Sequence, residues 1–209
     1  MTGRRRLALP GPPGPEPLPR VDGRSLRGPW YRAHHPDYGA WFFASSEVDD
    51  EEGGRFDLPV PHGTCYLASG AEVALRERLG VIAVGRPLTA AAIASSAVSV
   101  MTVPPQLKRD IADTTHPDAA RSVTREIATT TDYARTRAWA AHWFGTERRS
   151  GVRYEPRFST GSAVSLALFG PAGPAEFDAR PMTTAALANV LPARGVTALS
   201  RRAADVIDT

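Results

Sequence analysis

Cysteine is almost missing from this chain: its 209 residues include one, Cys65, so no internal disulfide can form and a multi-cysteine zinc site is excluded. A reducing, cytoplasmic setting fits that scarcity. Long apolar runs are missing as well. No stretch reaches the roughly 18 residues that span a bilayer, and Arg4-Arg5-Arg6 is followed by prolines rather than by the apolar segment of a leader. Neither a membrane protein nor a secreted precursor is expected. Charge of one sign is weak, with 25 Lys and Arg against 22 Asp and Glu for a net of +3. Part of the surplus sits near the N-terminus, and the acidic patch Asp49, Asp50, Glu51, Glu52 interrupts any basic stripe, so direct nucleic-acid binding is not expected. His34, His35, His62, His116 and His142 are scattered, without the spacing of a helix-borne zinc site, and no metal is expected. Glycine-rich phosphate loops of the Walker and dinucleotide kinds do not occur.

What remains is the composition of a soluble globular protein, 42% hydrophobic and 22% charged. Residues 1–28 are dominated by Pro, Gly and Arg and read as a disordered arm. Residues 29–209 read as a single domain, with a core at 29–170 and a C-terminal segment at 171–209. Strands are expected at Trp30-Tyr31-Arg32-Ala33-His34 and over 63–68, 97–103, 151–154 and 164–169, with a further aromatic run at Trp41-Phe42-Phe43. Helices are expected over 71–79, closed by Gly80, over 118–130, over 133–144 behind the cap residue Asp132, and over 184–191. Residues 107–116 read as loop or a short extended piece. That order of elements makes an α+β protein with one mixed core.

The residues able to carry chemistry are few: Arg32 in the first strand, Arg55 behind the acidic loop, Tyr66 at the end of a strand, Glu77 on the next helix, and Tyr154 with Arg157 late in the chain. An arginine among apolar strand neighbours is costly to bury unless it meets an anion, so Arg32 is either a phosphate clamp or a structural ion-pair partner. Glu77 lies between Arg76 and Arg78 and, on periodicity alone, reads as a solvated helix residue paired with them. On its strand Arg32 is expected to be held more rigidly than Arg55, which follows a loop.

The strings Trp30-Tyr31-Arg32, Gly54-Arg55-Phe56-Asp57, Gly63-Thr64-Cys65-Tyr66-Leu67-Ala68 with Val73-Ala74-Leu75-Arg76-Glu77, Asp132-Tyr133 with Thr136-Arg137-Ala138-Trp139-Ala140, and Gly151-Val152-Arg153-Tyr154-Glu155-Pro156-Arg157 agree in order and spacing with one family. Together they resemble the RES domain, named for its Arg, Glu and Ser residues, across about residues 29–170. The resemblance implies an ADP-ribosyltransferase-like fold, a mixed sheet with flanking helices, and an activity on NAD as substrate with no metal. RES toxins of bacterial toxin-antitoxin pairs degrade NAD by hydrolysis or phosphorolysis of the nicotinamide-ribose bond. Carried over by position, Glu77, Arg32 and Tyr66 are the expected catalytic residues, and Arg32, Arg55, Tyr66, Arg157 and Ser159 the expected NAD-binding ones. The late strand departs from the pattern. Family members typically carry a serine between its Tyr and Arg, where this chain has Pro156, and a hydroxyl would have to come from Ser159 or Ser162 in the turn beyond.

Glu77 would then stabilise positive charge growing at ribose C1′, Arg32 and Arg55 would bind the pyrophosphate, and Tyr66 would offer its ring to the nicotinamide. The leading expectation is an NAD glycohydrolase or phosphorylase acting as a toxin, with a helix-turn-helix antitoxin as protein partner. A homodimer is among the assemblies open to such a domain. Two alternatives stand beside it: transfer of ADP-ribose to a protein or small molecule, and a catalytically silent binding module.

Overall fold

Period-two alternation in the two longest strands sets the layers of the molecule. The structure is a computed structural model and describes residues 9–50, 52–80, 88–89, 95–159, 161–182 and 198–199. In chain order the strands are β1 (Trp30–His34), β2 (Phe42–Phe43), β3 (His62–Ala68), β4 (Leu88–Thr89), β5 (Ala97–Met101), β6 (Ile111–Asp113), β7 (Gly151–Tyr154), β8 (Ser165–Pro171), β9 (Gly173–Pro174), β10 (Ala179–Pro181) and β11 (Ala198–Leu199). The α-helices are α1 (Ala71–Leu79), α2 (Glu126–Thr129) and α3 (Tyr133–Gly145). Seven strands form one mixed sheet in the order β10-β5-β1-β3-β8-β7-β6, all neighbours antiparallel except β6 and β7. This is the α+β arrangement the sequence predicts.

Along β3 and β8, Cys65, Leu67, Leu166 and Leu168 enter one core with Trp30, Trp41, Phe43 and Met101. Ala167 and Phe169, on the opposite face, enter a second with Phe56, Trp139, Trp143 and Val152, against which Tyr66 packs. Helix α3 covers this second face. Its first turn is capped as expected, Asp132 Oδ1 accepting from the Arg135 N–H at 3.2 Å. Helix α1 leaves β3 through Ser69-Gly70 and stops at Gly80, whose φ of 55° and N–H bond to the Arg76 carbonyl end the helix in a conformation glycine favours.

Three expectations need correction or a boundary. Residues 9–28 are not a free arm. Leu9, Leu18 and Leu26 are buried, and the segment lies along the sheet edge, with Val21 N–H donating to the Ile111 carbonyl at 2.9 Å and Asp113 N–H to the Pro19 carbonyl at 2.8 Å. Prolines and glycines keep this strap extended, and three well-spaced leucines give it enough apolar area to offset its ordering. The helix expected over 118–130 is instead a 3-10 turn, Pro117–Arg121, followed by the four-residue α2. Ser122 interrupts it, because its hydroxyl is taken by the strap, accepting from Glu16 N–H and donating to the Glu16 carbonyl. The helix expected over 184–191 lies outside the described residues. Of the C-terminal segment, β9 pairs with β2 and β10 adds an edge to the main sheet beside β5.

Candidate functional site

β1 pairs with β5 along its whole length, from Trp30↔Met101 to His34↔Ala97, but with β3 at the single pair Tyr31↔Ala68. Past that pair the two strands part. The split opens into a cleft of about 550 Å³, within the usual size of small-molecule sites of roughly 300–1,000 Å³. Arg32, Arg55, Tyr66, Glu77 and Arg157 all line it, so residues far apart in sequence meet around one cleft. Arg32 is anchored by one edge, Nη1 donating to the Phe42 carbonyl at 2.7 Å and to Cys65 Sγ. Burial pushes the Cys65 thiol up and keeps it neutral.

Arg55 departs from expectation. It is 7% exposed and buried more deeply than Arg32, its Nη1 donating to the Thr130 carbonyl at 2.6 Å and its guanidinium stacking 4.7 Å from the centre of the Tyr133 ring. The loop before it is fixed at its base. Arg137, 1% exposed, donates to the carbonyls of Glu47 at 2.8 Å, Asp50 at 2.6 Å and Gly54 at 3.0 Å. Asp57 closes the turn, accepting from Gly54 N–H at 2.6 Å, Ser46 Oγ at 2.9 Å and Tyr66 Oη at 2.7 Å. Tyr66 Oη also accepts from Phe56 N–H at 2.8 Å. The Tyr66 hydroxyl is thus fully used as scaffold. Burial, then the Asp57 charge, holds its pKa well above the ordinary tyrosine value, so Tyr66 offers the cleft its ring and not a proton.

Glu77 is half-buried and forms no ion pair with Arg76 or Arg78. Its Oε1 accepts from the Phe158 N–H at 2.8 Å, which ties α1 to the loop after β7. Burial raises its pKa above the ordinary 4.5, while the backbone bonds from Phe158 and Arg157 and the charges of Arg55 and Arg157 oppose the rise. Tyr154 stands beside it: burial, then the Glu77 charge, keeps that phenol neutral. The site is therefore one desolvated carboxylate, two nearby guanidinium groups and aromatic walls. Such a set can bind an anion and stabilise a developing cation.

A family model described as the RES domain matches residues 29–189. The chain belongs to the RES domain family. One solved structure to which it is similar is the M. tuberculosis MbcT-MbcA toxin-antitoxin complex, at 17% identity and a TM-score of 0.45, covering 78% of this chain and 87% of that one. No curated protein matches it by sequence.

In this RES domain Ser159 is not in the main cleft. It lines an adjoining one of about 520 Å³ together with Ser69, Glu72, Arg76 and Ser162, and Phe158 stands between the two. Ser165, which the sequence reading passed over, does line the main cleft. It is 1% exposed and pairs in register with Tyr154. Tyr31, Arg78 and Tyr133 were missed as well. Arg78 had a signal in its position next to Glu77. Tyr133 had one in the matched Asp132-Tyr133 string, and Ser165 had none beyond its place at the start of a strand. Among the described residues no helix is long and apolar enough to cross a membrane.

Proposed function

We propose that this RES domain binds NAD in the cleft and breaks its nicotinamide-ribose bond, acting as the NAD-degrading toxin of a toxin-antitoxin pair. The observation that carries the reading is Glu77, a carboxylate drawn out of water into a cationic, aromatic cleft and locked by the Phe158 amide. Heterolysis sends the C1′–N electron pair to nicotinamide and leaves positive charge on the ribose. A fixed carboxylate stabilises that charge more strongly than the neutral ground state of the sugar. Water then adds to C1′ and loses a proton, giving ADP-ribose, nicotinamide and H⁺. With phosphate as acceptor the product is ADP-ribose 1″-phosphate. The backbone bonds from Phe158 and Arg157, and after them the charges of Arg55 and Arg157, favour the carboxylate form of Glu77 against its burial, and in this reading the Tyr66 ring lies against the nicotinamide. A helix-turn-helix antitoxin is the protein partner this reading proposes.

A second reading, transfer of ADP-ribose to a protein or small molecule, draws support from the adjoining cleft, which gives a bulky acceptor a place across Phe158 from the reacting carbon. Incubation with NAD and mass analysis of the products separates the readings. Free ADP-ribose or its phosphate supports hydrolysis or phosphorolysis, and a modified macromolecule supports transfer. Intact NAD at high enzyme concentration overturns both in favour of a silent binding module.

A further inference from the structure

Four arginines line the main cleft, and they divide into two pairs. Arg55 and Arg157 are near enough to Glu77 for each charge to act on it. Arg32, on β1, and Arg78, in the last turn of α1, form the second pair, and the charge of Arg32 adds to burial in lowering the Arg78 pKa. Neither Arg32 nor Arg78 makes an ion pair with a carboxylate among the described residues. Each is pinned by one part of its guanidinium, Arg78 Nε donating to Ser96 Oγ at 3.0 Å and Arg32 Nη1 to the Phe42 carbonyl at 2.7 Å and to Cys65 Sγ. Ser96 is itself buried. His34 lies close to both, and burial first and these two arginines after it lower its pKa against the backbone bonds that raise it, its ring bonding Ser99 Oγ at 3.0 Å and the His35 carbonyl at 3.0 Å.

Both guanidinium groups line one cleft, neither is paired with a carboxylate among the described residues, and each is held by one part of its fork, which leaves N–H donors for a dianion. The matching chemistry is a diphosphate, whose oxygens accept from two guanidinium forks at once. We propose that Arg78 joins Arg32 in a two-guanidinium clamp for the pyrophosphate of the dinucleotide, which makes Arg78 a substrate-binding residue of this RES domain. The proposal rests on the NAD reading above and redistributes its roles. Arg32 and Arg78 take the pyrophosphate, and Arg55 and Arg157 serve the Glu77 end. Arg76, one position before Glu77, lines the adjoining cleft and has no part in the clamp.

Titration of ADP, AMP and adenosine into the full chain, followed by calorimetry, tests the clamp without any need for turnover. Wild type binds ADP more tightly than AMP and AMP more tightly than adenosine. Arg78→Gln weakens ADP on the order of tenfold or more, as loss of a charged contact does, and leaves adenosine unchanged. Arg78→Lys, which keeps the charge and loses the fork, falls between them. Arg76→Gln binds ADP as wild type does. With NAD as substrate, Arg78→Gln shows a raised KM. Wild-type ADP affinity in Arg78→Gln, an equal loss for ADP and adenosine, or no preference for ADP in wild type overturns the clamp, even if NAD is consumed. Arg78-dependent ADP binding in a protein that leaves NAD intact keeps the clamp and overturns NAD cleavage instead.

Discussion

Glu77 sits between two arginines in the chain, yet its hydrogen-bond partner is the amide of Phe158, 81 residues away. That contact sets Glu77 apart from a solvated helix residue, and it yields one prediction for the proposed activity and one for stability. Glu77→Gln keeps the size and the bond from Phe158 but cannot offset charge at C1′, so nicotinamide release falls by about 10²-fold or more with little change in NAD binding; steady-state kinetics checks this. The role proposed for Glu77 needs the ionised form, so in wild type the acid limb of the pH-rate profile should lie above the ordinary glutamate value of 4.5. Stability runs the other way. A folded-state pKa raised above the unfolded one favours the fold fully below the unfolded value, and that contribution is lost as pH rises through the folded value. Glu77→Gln should therefore melt higher than wild type at neutral pH, the gap closing as the solution is acidified toward about pH 4. Thermal melts across that range with no such convergence would count against a desolvated Glu77.

The turn from Gly54 to Asp57 shows what local pattern cannot convey. Helices α1 and α3 and strands β7 and β8 were legible because capping, glycine stops and apolar periodicity are encoded next to one another in sequence. The site residues Arg32, Arg55, Tyr66 and Glu77 were legible through spaced motifs. The work of the Tyr66 hydroxyl was not, because Asp57, Phe56 and Tyr66 meet only once β3 has folded back on the loop. The grip on Arg55 was hidden in the same way, since Thr130 and Tyr133 come from the far side of the chain. A Cβ on Gly54 would lie 2.6 Å from both Asp57 Oδ1 and Tyr66 Oη, two atoms already bonded and unable to retreat. Gly54→Ala should cost about 1–3 kcal/mol by overcrowding. It should also lower NAD turnover, because Arg55 rides on the same turn. A wild-type melting temperature together with wild-type turnover would show the turn to be more pliant than its bonds imply.

Across the whole molecule, the strap of residues 9–28 ties both faces and one edge of the sheet. Trp139 Nε1 donates to the Pro10 carbonyl at 2.8 Å, Arg149 Nη2 to the Leu18 carbonyl at 2.8 Å, and Arg135 to the Leu9 carbonyl. Its residues therefore belong to the folded unit, although the matched family region begins at residue 29. Leu18→Ala should cost about 2–5 kcal/mol, read as a lower denaturant midpoint, with the cleft residues untouched. A loss under about 0.5 kcal/mol, the usual size for a surface change, would return the strap to the status of a loose arm. These three bonds span 126 to 131 residues along the chain. During synthesis the strap leaves the ribosome long before α3 and Arg149 exist to receive it, and loops of that length close late. A segment made before the elements that receive it is thus among the last to settle, and until it does, the β6 edge is open to pairing with another chain.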